Sequence, residues 1–523
     1  MIISRLYMKT YNIFTDEKKI ENEKIWAACG SDELYPVIFS EEGEFLLKRM
    51  QKYKTCRFAR NHYTLSKEMN GNLRCGGDVY SEDENGNPLY DFSYINEVYR
   101  KLLSYGIKPI VELDFLPDAL SLKDKTIEQE GTGEQLLNHS YPNDWDKWAS
   151  LLTAFMQNLA ETFGIEEIRT WYFEVWNEPD NWPVDTWDMF FKLYDVFVDC
   201  VTKTDDKLRV GGPGCFRQHF MYAFLDHIAN GKNYITGQKG TRIDFLSYHI
   251  YGMSGGWLDE YPLIMPSVQR FSQELAWIER MIDKYPELRE KEFLLDEWGV
   301  VSNYERSIKD YPPLEIRNSE YSALFMVKLM DVLVEHKIKY GLNIKTALFW
   351  GFANEDFFGK LFNGNRSLTT RCNICKPIQT AFELLSLLGD EFVRTDNIAG
   401  ADEGVVATVS KNSAQALIYF FNEFDAMRKL PKRKYRINFS GLDDGCYTLK
   451  VYPLDDKHNN TYRIWQSLGS PEQPDVEELK KITKPQNGIT PAFSKDIKVR
   501  NGNFVFKTSL SSISLKLIEL IKK

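Results

Sequence analysis

The sequence predicts an α/β protein, a (β/α)8 TIM barrel with an appended C-terminal β-sandwich, and three observations carry that expectation. Short apolar, β-branched and aromatic runs alternate with longer stretches of helical periodicity up to Gly389, the pattern of a parallel sheet wrapped by helices. Beyond Gly389 the texture changes to short strand-like runs divided by turn residues, which reads as an all-β sandwich. The length of 523 residues fits a barrel plus an accessory domain better than one small core.

Eight barrel strands are expected at 25–29, 55–59, 109–113, 171–176, 208–211, 243–249, 292–296 and 346–350. Apolar residues recur at three- and four-residue steps in 145–163 and 320–336, and a helix over 378–388 should close the barrel. Sandwich strands are expected at 405–409, 416–421, 435–438, 447–452, 504–506 and 513–517. The polar, Lys-rich stretch 455–496 reads as a solvated loop in preference to an interface arm.

Two strand ends carry the chemistry. The run Trp171-Tyr172-Phe173-Glu174-Val175-Trp176 stops at Asn177-Glu178-Pro179, because proline cannot continue a central ladder. Downstream, Glu292-Phe293-Leu294-Leu295-Asp296-Glu297-Trp298-Gly299 again ends an apolar run in an acid. The C-terminal ends of barrel strands are where such folds do chemistry. Two carboxyl groups placed there are the minimum for glycoside hydrolysis: one protonates the leaving oxygen, and the other attacks the sugar or activates water. A capping or ion-paired acid is the structural alternative for either one.

The stretch 171–179 resembles the acid/base strand of glycoside hydrolase family 39, the β-xylosidases and α-L-iduronidases. Three further segments agree in order. Phe92-Ser93-Tyr94-Ile95 leads to Val111-Glu112-Leu113-Asp114-Phe115-Leu116-Pro117, similar to that family's "EL-x-F-M-P". Asp244-Phe245-Leu246-Ser247-Tyr248-His249-Ile250-Tyr251 resembles its "DF-x-S-x-H-x-Y" strand, and Glu297-Trp298 its nucleophile motif. The resemblance implies retention by double displacement, with Glu178 as acid/base and Glu297 as nucleophile, the two carboxyls about 5–5.5 Å apart. It also implies an appended β domain. The expected organisation is N-terminal strands in 1–15 joining the sandwich, a catalytic barrel over 16–390, and the sandwich over 391–523.

The helpers follow from position. Asn177 is expected to donate to the sugar 2-hydroxyl. His249 and Tyr251 end the sixth strand, where the resemblance puts sugar contacts, and Tyr251 is also expected as a donor to Glu297. Arg57 is expected near the barrel floor, either orienting the nucleophile or held in a structural ion pair, and Trp350 as a stacking platform or a core tryptophan. Glu112 and Asp114 read as structural. If the fourth strand stays regular, Glu174, Trp176 and Glu178 share one face, with Glu174 deeper. Burial and the charge of Glu297 should hold Glu178 protonated. The family commonly carries Arg-x-His-Gly after its second strand, whereas this chain reads Arg57-Phe58-Ala59-Arg60-Asn61-His62. Ala59 then stands where a pocket group is expected, with His62 substituting from the loop. Asp180 is reminiscent of the iduronidase branch, whose substrate carboxylate would need a cation such as Arg60 or Arg217. A neutral pentose is favoured.

Composition bounds the partners. A net charge of −10 disfavours nucleic acid, which needs a basic surface. The segment Met1–Thr10 lacks a signal-peptide pattern and no apolar run is long enough to cross a membrane, so action in the cytoplasm on a small oligosaccharide or glycoside is expected. Cys372-Asn373-Ile374-Cys375 has CxxC spacing without a second pair, so no metal and no cofactor is expected. The accessory sandwich offers a surface for homo-oligomer formation. The leading expectation is an exo-acting retaining β-xylosidase. The alternatives are an α-L-arabinopyranosidase, a β-glucosidase, an iduronidase-like enzyme, or a non-catalytic carbohydrate-binding barrel.

Overall fold

The computed structural model describes residues 8–523 apart from 18, 33, 67–77, 123–126, 129–134, 137–139, 254–264, 303–306, 310, 354–360 and 424–430. Eight parallel strands close into a barrel in chain order. They are β1 (Ala28–Gly30), β2 (Phe58–Arg60), β3 (Lys108–Leu113), β4 (Tyr172–Val175), β5 (Arg209–Cys215), β6 (Phe245–Tyr251), β7 (Glu292–Gly299) and β8 (Ile344–Trp350). Every expected run contains or overlaps one of them. The lower barrel interior is an apolar plug that includes Phe58, Ile110, Tyr172, Phe245 and Leu348. A far larger core fills the space between the strands and the surrounding helices.

Local chemistry sets the helix ends. The helix Trp145–Phe163 is capped by Asp144, whose side chain accepts from the backbone N–H groups of Asp146 and Lys147. It stops at Gly164, which takes a φ of 83° that a branched side chain would resist. Pro377 opens the helix Pro377–Ser386 at a position where a missing N–H costs nothing.

Two antiparallel-rich sheets follow the barrel. The seven-stranded sheet contains Glu403–Ser410, Ser413–Phe420, Ser514–Lys522, Gly445–Leu454 and Phe493–Val499. The four-stranded sheet pairs Arg433–Ser440 with Phe504–Leu510 on one side and with Met8–Phe14, in parallel, on the other. Tyr11, Ile13, Ile418, Phe420, Ile437 and Leu520 belong to the core between the sheets.

The stretch 455–496 is not a solvated loop. It forms the helices Thr461–Ser467 and Val476–Thr483 and the start of the edge strand Phe493–Val499. Tyr462, Trp465 and Ile482 bury themselves against Leu361, Phe362 and Ile374. Thr461 hydrogen-bonds to the Cys375 carbonyl, and Arg463 pairs with Glu320 at 2.7 Å. The polar composition misled because only a few large apolar residues, spaced for one helix face, anchor the segment.

Candidate active site

The chain leaves β4 through a break. Trp176 and Glu178 take φ of 72° and 47°, the left-handed region that non-glycine residues adopt at a cost of roughly 1–3 kcal/mol. Alternation is lost there, so the expectation that Glu174, Trp176 and Glu178 share a face is corrected. Trp176 packs outward on Phe115 and Trp182, with ring centroids 5.1 and 5.0 Å away. Glu174 stays inside and fully buried, while the Glu178 side chain keeps 22% exposure at the mouth. The Glu178 N–H donates to the Gly214 carbonyl at 2.9 Å, which fixes the turn.

Opposite it, the register between β6 and β7 slips by one residue after Ser247 and Leu294, so that His249 pairs with Glu297. The extra residue on β7 lets Asp296 and Glu297 both reach the interior, as a bulge does. Tyr251 donates its hydroxyl to Glu297 Oε1. One oxygen each of Glu178 and Glu297, with a ring nitrogen of His249, lie within 4.8 Å of one another.

The centre of the site is Arg60. Its guanidinium reaches Glu112 at 2.6 Å, Glu174 at 2.5 Å, Glu297 at 3.5 Å and Asp296 at 3.6 Å. It also donates to Asn177 Oδ1 at 3.1 Å and lies 5.4 Å from the Trp350 ring. Arg57 does not come to the site. It is exposed at the opposite end of β2, bonded to the Glu23 carbonyl and lying over Phe58. Phe58 and Ala59 separate the two arginines, and only the C-terminal end of the strand faces the mouth. Ala59 is corrected in the same way: it points outward into the barrel–helix core. The Arg-x-His segment is therefore Arg60-Asn61-His62, and the departure from the family pattern is Tyr63, with a φ of 63°, where the family carries glycine.

The charges decide where protons sit. Burial alone would raise the Glu178 carboxyl. The hydrogen bond from His249 Nδ1 at 3.0 Å, and the charge of that ring, bring it below the ordinary carboxylate range instead. Burial would likewise lower His249, yet the charges of Glu297 and Asp296 and the bond to Glu178 lift it well above an ordinary imidazole. These directions favour the charged ring of His249 and the ionised carboxylate of Glu178, against the expectation that burial and Glu297 hold Glu178 protonated. Glu174 is pushed to about 7 and Glu112 to about 8, both chiefly by burial and against the pull of Arg60.

The remaining expected residues line one side. His62 holds Glu112 through Nδ1 at 2.9 Å, and its ring centroid lies 4.6 Å from that of Trp350. Trp350 is buried to 1% exposure and donates from Nε1 to Asp32 at 3.1 Å, so it is a wall between Arg60 and His62 rather than an open platform. Gly30 must be glycine here, since a Cβ would stand 2.6 Å from the Trp350 ring. Arg366, which sequence reasoning missed, bridges Asp32 at 3.0 Å and the Tyr251 hydroxyl at 3.1 Å. Asp296 was missed too, although its place directly before Glu297 was a usable signal. Two clusters, His62-Glu112-Asp114 and Glu178-His249-Glu297, have the ligand spacing of a cation site. In the first, Arg60 already supplies the positive charge; in the second, the imidazolium of His249 does.

A barrel whose fourth and seventh strands bring two acids together at its C-terminal mouth has the construction of a glycoside hydrolase. Residues 12–500 match glycosyl hydrolases family 39, and the chain belongs to glycoside hydrolase family 39. It is 25% identical to a β-xylosidase of Geobacillus stearothermophilus over 98% of this chain and 95% of the relative. It is 24% identical to the α-L-iduronidase of Mus musculus over 66% of this chain and 57% of the relative. The solved structure of a monomeric β-xylosidase from Caulobacter crescentus CB15 superposes with a TM-score of 0.79 at 23% identity, covering 98% of this chain and 99% of that one. Among the described residues no helix is long and apolar enough to cross a membrane.

Proposed function

We propose that this family 39 enzyme is an exo-acting, retaining β-xylosidase that acts by double displacement, with Glu297 as nucleophile and Glu178 as acid/base. The observation that carries the reading is the approach of the two carboxylates to within 4.8 Å. That matches the close spacing a covalent intermediate needs, and it leaves no room for an inverting water. Tyr251 and Arg60 keep Glu297 supplied with donors, as an ionised nucleophile requires. His249 holds the proton against Glu178 Oε1 until a sugar excludes water from the mouth; Glu178 then delivers it to the leaving oxygen. Once Glu297 is consumed in the glycosyl-enzyme, the pair loses a negative neighbour and Glu178 can take a proton from water. Asn177 turns its carbonyl to Arg60, which leaves the amide N–H groups for the sugar 2-hydroxyl.

A neutral glycone is favoured by what the nearby arginines do. Arg60 is saturated by Glu112 and Glu174, and Arg217 binds the Asp180 carbonyl at 2.6 Å. Asp180 itself accepts the N–H groups of Phe216 and Arg217, a structural task with no bearing on a uronate. The near full-length likeness to the β-xylosidase, against two thirds for the iduronidase, supports the same choice. The test is hydrolysis of p-nitrophenyl β-xyloside, α-L-arabinopyranoside, β-glucoside, β-galactoside and α-L-iduronide. Preferred turnover of the xyloside, with no turnover of the iduronide, is expected. Preference for another glycone would remove the xylosidase reading and keep the family chemistry.

A further inference from the structure

A groove lies away from the mouth, on the barrel's outer wall between the helices Gln218–Asn230 and Val268–Ile282. Its volume of about 630 Å³ falls within the roughly 300–1,000 Å³ of small-molecule sites. Its lining joins two aromatic side chains, Tyr222 and Trp277, to His219, Arg280 and Lys284, and it includes no carboxylate. On a chain of net charge −10 that is a local reversal of sign. The acids on the same helices have partners: Glu274 accepts from Tyr248 and from Gln218, which lines the groove, Asp226 accepts from Tyr285 and Asn230, and Glu279 pairs with His336.

Arg280 and Lys284, by contrast, make no salt bridge among the described residues. Lys284 Nζ lies 4.9 Å from the Tyr222 ring centroid, a cation–π contact that keeps its charge at the groove. Arg280 is exposed, and Tyr222 is 44% exposed. Aromatic faces beside fixed cations select a ligand with an apolar face and a carboxylate edge, and a uronic acid residue in an oligosaccharide has both.

We propose that this groove is a second carbohydrate site, binding an oligosaccharide that carries a uronate carboxylate, with Trp277 and Tyr222 as the stacking surface and Arg280 and Lys284 as the carboxylate partners. The site would anchor a charged chain on the flank while hydrolysis proceeds at the mouth. It draws on the family's action on sugars and does not depend on which glycone is cleaved.

Titration calorimetry on the full chain tests it, with xylotetraose bearing one glucuronic acid branch, unbranched xylotetraose and inorganic phosphate as probes. The branched sugar is expected to bind more tightly than the other two. Trp277→Ala, and Arg280→Glu with Lys284→Glu, should each weaken it about tenfold or more, equivalent to roughly 1.4 kcal/mol. Turnover of an aryl glycoside should stay unchanged, and Trp277→Phe should keep most of the affinity. Equal binding of branched and unbranched sugar, equal binding of phosphate, or unchanged affinity in the charge-reversed variant would each overturn the proposal. If Trp277→Ala does not fold, the charge-reversed variant decides alone. A failed xyloside assay with branched-sugar binding intact would sink the glycone reading and leave this site standing.

Discussion

Two regions of this molecule bury charge, and they do it differently. At the seam between barrel and sandwich the charges are matched. Lys328 meets Glu423 at 3.0 Å, and that carboxylate also accepts the Ser267 hydroxyl and the Val268 N–H. Asp331 is satisfied by Tyr419 and Asn397. At the mouth the balance is deliberately lopsided: Glu112, Glu174, Asp296, Glu297 and Glu178 crowd around Arg60 and His249. Matched charge holds two parts together, whereas an excess of acid forces protons to be shared and raises or lowers individual groups. At the seam burial raises Asp331, whereas at the mouth several groups that face one another are shifted together.

Breaking the mouth should have the largest effects. Glu297→Ala is expected to lose activity by about 10⁴-fold or more, as removal of a covalent nucleophile does. Azide should restore turnover and give the inverted glycosyl azide; a folded variant showing neither effect would refute the nucleophile assignment. Glu178→Ala should lose about 10²–10⁴-fold on poor leaving groups and much less on activated aryl glycosides. Equal losses on every aglycone would count against the acid/base role.

Removing the hub is a stability experiment. Arg60→Met strands four buried carboxylates and is expected to destabilise by about 3–5 kcal/mol, read from denaturant midpoints. The seam offers the contrast. Lys328→Met alone leaves Glu423 unpaired and should cost a comparable amount, but pairing it with Glu423→Gln should recover most of the loss, because both charges are then gone. If the double variant were as unstable as the single one, the seam would not be the simple matched pair described above.

The smallest effect is a slope. Burial lifts Asp331 to about 7, so it is neutral when folded near pH 5 and charged there when unfolded. The folded state then holds more protons, and this group's stabilisation is full below its unfolded pKa of roughly 3.9 and is lost as pH rises through about 7. Asp331→Asn should flatten the pH dependence of stability between pH 4 and pH 7 by at most about 1.4 kcal/mol per pH unit. An unchanged slope would show that the mouth carboxyls, not the seam, dominate the titration.

Much of this was legible in the residues because it is local. Strand alternation with helices, Pro179 ending β4, and acids at the ends of β4 and β7 are properties of short windows. Those windows placed Glu178, Glu297, Asn177, His249 and Tyr251 at one end of one barrel before any distance was known. The stretch 455–496 was misread for the converse reason: its anchors, Tyr462, Trp465 and Ile482, matter only through partners a hundred residues away.

What the tertiary structure alone decided was facing, distance and protonation. Which arginine reaches Glu297 depends on where β2 starts and stops, so Arg60 rather than Arg57 holds the site. Whether Asp296 can join Glu297 inside depends on a one-residue slip against β6. That His249 is lifted above an ordinary imidazole depends on three carboxylates, from the exit of β4 and from β7, converging on one ring. Sequence determines which groups a chain owns and the local shape that carries them. Fields and packing act between elements distant in the chain, and these exist only once the barrel has closed.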